Sequence, residues 1–164
     1  MGDHEAMHTD AKPYRAILWG GLIAGALDIL AAFIQAGLRG RSPVRILYAI
    51  ASGLLGADAF EGGAPIAALG ALLHFVIAFG AATVYVVVSR KLRVLVERPV
   101  LCGLLYGIAV YLFMNFIVLP LSAIPFELSY TPAALATGMF IIMFCVGLPI
   151  ALIARRFAER PKEV

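Results

Sequence analysis

The sequence predicts an all-α, polytopic membrane protein: four transmembrane helices in a bundle, plus one short interfacial or connector helix between spans one and two. Three observations predict it. Of 164 residues, 62% are hydrophobic and only 14% charged, a balance far outside that of a soluble domain. The apolar residues gather into four runs, each long enough to cross a hydrocarbon core about 30 Å thick. A proline also stands at the start of every proposed helix, where its missing N–H would have had no intrahelical partner.

Residues 1–12 read as a polar, mobile tail and residues 158–164 as a polar C-terminal tail, flanking a single transmembrane domain over 13–157. The spans are predicted at about 16–38, 66–88, 100–119 and 133–154, and the short helix at about 43–55. Pro13, Pro65, Pro99 and Pro132 open the spans and Pro43 opens the short helix, with Ser42 and Thr131 in the capping position before their prolines. Pro149 falls inside span four and is expected to kink it or free a carbonyl. The segment RGRSPVRILYAIASGLLGADAFEGG is too long for a tight turn and too apolar for a solvated loop. Val44, Leu47, Ile50 or Ala51, and Leu54 form its apolar stripe, which places the helix at the membrane surface or the bundle mouth, as connector or lid.

Charge sets the expected orientation. With both termini cytoplasmic, ten of the thirteen basic residues lie inside: Lys12, Arg15, Arg90, Lys91, Arg93, Arg98, Arg155, Arg156, Arg160 and Lys162. Arg39, Arg41 and Arg45 lie outside, a positive-inside bias. The net charge of +3 then reflects topology and an anionic inner leaflet, so the partner is the lipid bilayer and no nucleic acid is indicated.

Several functions lose support at once. The first apolar run spans and lacks a small-residue cleavage site, and the start Met-Gly-Asp-His-Glu-Ala does not fit the myristoylation pattern. His4 and His8 stand four apart, but in a tail better read as disordered than as a metal site, so no metal is expected. Cys102 and Cys145 form no CxxC, and His74 is the single histidine within a span, which leaves no thiol relay and no bis-histidine haem; no cofactor is expected. Ser122, Ser129 and Thr137 belong to no GxSxG, and HExxH and paired-aspartate motifs are lacking, so the chain reads as a non-enzyme. Asp58, Glu61 and Glu127 read as solvated surface charges.

Helical spacing locates the polar residues. Gly21, Gly25, Asp28, Ala32 and Gln35 share one stripe of span one; Gly70 or Ala71, His74, Ala78, Ala81 and Tyr85 share one stripe of span two. Span one carries the small-residue motif Gly21-x-x-x-Gly25 and span three carries Gly103-x-x-x-Gly107, both suited to close helix packing. Their likeness raises a two-hairpin repeat, against which chance matching in glycine-rich spans weighs more heavily. At ~1.5 Å rise per residue, Asp28 lies ~15 Å, His74 ~12 Å and Asn115 ~6 Å from the outer ends of their spans. Asp28 and His74 are therefore at one level on adjacent helices, where a contacting pair would titrate as a unit. Two readings stay open: a proton-responsive element, and a hydrogen bond that fixes packing.

The succession GLIAGALDILAAF, SPVRILYAIASGLLG, GGAPIAALGALLHFVIAFGAATVY and GLLYGIAVYLFMNFIVLPLS resembles the YagU-like family of small bacterial inner-membrane proteins, a domain of unknown function. The resemblance covers spans one to three and carries over Gly21, Gly25, His74 and Pro120. It implies a bacterial inner (cytoplasmic) membrane location and a loose link to acid resistance. The expected function is thus acid tolerance or proton-linked transport through an intramembrane Asp/His pair; the alternative is a structural or accessory membrane subunit. Glycine-lined faces invite a homo-oligomer or a larger membrane complex.

Overall fold

The computed structural model describes residues 11–126 and 131–158, and among them all regular structure is helical. Span one is α1 (Ala11–Leu38) and span two is α3 (Ala64–Ser89). Between them lie α2 (Val44–Leu55) and a 3₁₀ segment, Gly56–Glu61; the short α4 (Val94–Glu97) joins span two to span three. Span three combines α5 (Pro99–Phe113), a wide π segment Met114–Val118, and α6 (Leu119–Leu121). Span four combines α7 (Pro132–Ile141), a π segment Ile142–Gly147, and α8 (Leu148–Phe157). The stretches Pro13–Leu38, Ala64–Ser89, Pro99–Leu121 and Pro132–Phe157 run 23 to 26 residues and each holds an 18-residue window of mean hydropathy 2.1 to 2.3, long and apolar enough to cross a bilayer, so this is an integral membrane protein.

Local chemistry explains where the helices begin. Pro65, Pro99 and Pro132 occupy first turns, and the Thr131 hydroxyl accepts the Ala134 N–H at 3.3 Å, as a capping threonine should. Ser42 does not cap in that way. Pro43 already holds helical angles, so the first turn closes through the backbone, with Arg45 N–H donating to the Ser42 carbonyl at 3.1 Å. His4, His8, Glu127, Ser129, Arg160 and Lys162 lie outside the described residues.

The two prolines within spans share one device. Leu119-Pro120 and Leu148-Pro149 each follow directly on a π segment. A proline ring clashes with the carbonyl four residues back and donates no hydrogen bond, and a widened turn absorbs both defects. The expected distortion at Pro149 takes this form. Span three runs on through Leu121, so Pro120 also stands inside a helix.

Span one packs against span two and span four, span three packs against span four, and α2 lies along span two. The shared core is built of small residues, Ala16, Ala24, Ala82, Ala151 and Ala154, around Tyr85, Val86, Val146 and Ile150. Large aliphatics such as Leu30, Leu72 and Leu105 are exposed instead, as lipid-facing residues should be. The predicted stripe of α2 packs only in its middle: Ala51 is buried and the Leu47 backbone rests on Gly70, but Leu54 is 63% and Val44 39% exposed. The contact face is turned toward Ser52, whose hydroxyl donates to the Ala49 carbonyl at 2.8 Å, because only small groups fit so close an approach. Ala123 N–H donates to the Gly53 carbonyl at 2.9 Å, and Phe60 meets Phe126 edge-on at 6.4 Å, so α2 and the residues after span three close one end of the bundle.

Candidate functional site

Span one brings Gly21, Gly25 and Asp28 to the interior because the face they share is bordered by Gly20, Ala24 and Ala36, all buried. Phe75 and Phe79 of span two fill the space that the glycines leave. A Cβ on residue 25 would come within 2.8 Å of the Phe75 ring and 3.1 Å of the Ala78 methyl, and one on residue 21 would enter the Phe79 ring.

This close approach positions His74. Its Nε2 lies 2.8 Å from the carbonyl oxygen of Gly25, across the interface between spans one and two. A carbonyl can only accept, so Nε2 carries the proton and donates; in the neutral ring Nδ1 is then the basic nitrogen. The ring also meets Phe75 edge-on at 5.5 Å. Asp28 and His74 are both half-buried, and Asp28 is within electrostatic reach of His74 and of the Cys145 thiol on span four. No hydrogen bond or ion pair joins Asp28 to His74 among the described residues; the ring's bond goes to the backbone one turn earlier. Counted from the ends nearest α2, both residues stand about 15 Å deep in their spans.

Asn115 takes no part in this layer. Its side-chain amide donates to the Tyr111 carbonyl at 2.9 Å, within its own helix and at the mouth of the π segment, where the regular i→i−4 pattern is broken. Gln35, the last residue of the span-one stripe, accepts instead from Arg39 at 3.4 Å near the helix end. Ser122 and Thr137 likewise donate to carbonyls of their own helices, Leu119 at 2.7 Å and Ala133 at 2.8 Å. Asp58 and Glu61 are exposed on the 3₁₀ segment.

The glycines of span three work differently from those of span one. Gly103 and Gly107 lie against the backbone of Gly147 and its neighbours in span four, with the Ala151 methyl beside Gly103, so the two main chains come into contact. The two similar motifs therefore meet dissimilar partners, rings in one case and backbone in the other.

A second polar cluster escaped sequence reasoning. The Tyr106 hydroxyl donates to the Ala81 carbonyl of span two at 2.7 Å, and Tyr85 donates to the Leu95 carbonyl of α4 at 3.0 Å. The rings meet at 4.9 Å between centroids, and Tyr85 is 1% exposed. Their positions toward the span ends that α4 joins were the available signal, since tyrosines favour such depths. Cys145 was also passed over as a neighbour of Asp28; its place in span four was legible, but its facing could not be read across the π segment.

Comparison with protein-family models, curated proteins and solved structures finds no match for the chain.

Proposed function

We propose that this integral membrane protein responds to or moves protons through Asp28 and His74, in acid tolerance or proton-linked transport. One observation carries the reading. His74 commits Nε2–H to the Gly25 carbonyl, which leaves its other nitrogen as the basic site, while the Asp28 carboxyl nearby has no hydrogen-bond partner among the described residues. Ionisable groups at this depth are costly, and they persist where they exchange charge with one another or with a pathway. The resemblance to the YagU-like family points the same way, and with it a bacterial inner membrane and cytoplasmic termini. The function is non-enzymatic, and the glycine-lined faces favour a homo-oligomer.

A specific observation supports a second reading, an accessory subunit whose polar residues only set packing: the His74–Gly25 bond sits among Phe75 and Phe79, which already lock spans one and two. Survival after acid challenge separates the two in a deletion strain carrying wild type, Asp28→Asn or His74→Gln, with membrane abundance measured in parallel. The proton reading expects variants that accumulate normally and fail to protect. Protection equal to wild type, or failure only through lost accumulation, supports the accessory subunit.

A further inference from the structure

Spans two and three are neighbours in sequence, yet they enclose an apolar groove of about 550 Å³. Ile77, Gly80 and Val84 form one wall, and Tyr106, Val110 and Phe113 form much of the other. The groove opens sideways: Ile77 is 41%, Val84 54% and Phe113 53% exposed, and a Cβ built on Gly80 meets nothing within 4 Å. Along span three it extends from Tyr106 to Val118, about 18 Å at the helical rise. An apolar groove of that length, open along its lipid-facing side, fits an extended hydrocarbon chain lying along it.

The loop that joins the two walls supplies a headgroup site. It carries Arg90, Lys91, Arg93 and Arg98 against the single acid Glu97, and all four cations are exposed. None of them makes a side-chain hydrogen bond or ion pair among the described residues. From the end of the groove to this loop is about 8 Å along span two, Val84 to Ser89, and about 10 Å along span three, Tyr106 to Pro99. The polar layer of one leaflet is about 5–8 Å thick, a comparable distance. Basic clusters beside a cleft between transmembrane helices attract anionic headgroups.

We propose that this groove holds one acyl chain of an anionic phospholipid whose phosphate is held by the Arg90–Arg98 loop. The inference does not depend on Asp28 or His74.

Native mass spectrometry of the purified full chain tests it, with phosphatidylglycerol and phosphatidylethanolamine of matched acyl chains as probes. Wild type is expected to retain phosphatidylglycerol preferentially. Replacing Arg90 and Arg93 by Gln should lower that preference about fivefold for each cation removed. Gly80→Leu, which projects a side chain into the groove, should lower retention of both lipids; Ala109→Leu repeats the test from the opposite wall should the first variant fold poorly. Equal retention of the two lipids by wild type overturns the headgroup assignment. Undiminished retention in both plugged variants overturns the groove assignment, and a shift from dimer to monomer with lipid retention unchanged identifies a second copy as the occupant instead.

Discussion

Span three has two seams, and they are built in opposite ways. Against span four, Gly103 and Gly107 meet Gly147, and the two backbones touch. Against span two, Gly80 faces open space, and the Tyr106–Ala81 hydrogen bond ties the helices beside an open groove. The contrast shows what a small residue does in a membrane, where no hydrophobic effect pulls helices together. It permits close approach, but the seam shuts only where the opposite helix fills the space, with backbone at Gly107 and with rings at Gly21 and Gly25.

Overfilling the closed seam should have the largest effect. Gly147→Leu has no room beside the Gly103 carbonyl and should cost about 3 kcal/mol or more, read as loss of folded protein in a denaturing-detergent titration. Gly107→Ala, against the Met143 backbone, should cost about 1–3 kcal/mol in the same titration. Its matched control is Gly80→Ala, which adds the same methyl group to a span glycine facing open space. That change should stay within about 0.5 kcal/mol. If both substitutions cost alike, helix propensity or lipid packing governs these sites and the seam comparison fails.

Between these extremes lie the polar ties. Tyr106→Phe removes the bond to the Ala81 carbonyl while keeping the ring against Tyr85, and should cost about 0.5–1.5 kcal/mol. His74→Gln, assayed for stability alone, should cost about 0.6 kcal/mol and at most about 1.7, the span of measured interhelical hydrogen bonds in lipid. A much larger loss would make His74 chiefly a packing residue.

The sequence made the bundle legible because its strongest signals are local. A proline in a first turn and an apolar run of membrane length each act within one helix, and Pro65, Pro99 and Pro132 stand where that reasoning expects. Helical period also placed Gly25, Asp28, His74 and Tyr85 on interior faces. What it lacked was the identity of the opposite partner. A period tells which side of a helix is packed; it does not tell that a ring fills the gap at Gly25, that Gly147 fills the one at Gly107, or that nothing fills the one at Gly80. The His74 bond shows the same limit, since a backbone carbonyl exists at every position and no residue type announces it as the acceptor. Pro120 and Pro149 were visible, but the π segments before them shift the facing of the residues within and beyond them, which hid the approach of Cys145 to Asp28.

The proposed exchange of charge between Asp28 and His74 as one unit has a direct spectroscopic readout. Infrared difference spectroscopy across the mildly acidic range measures this directly, through the C=O stretch of the protonated Asp28 carboxyl in wild type, in Asp28→Asn and in His74→Gln. The expected result is a titrating band that is absent from Asp28→Asn and whose midpoint moves in His74→Gln. A band whose midpoint ignores the loss of the imidazole, or no titrating band from Asp28 at all, would contradict it.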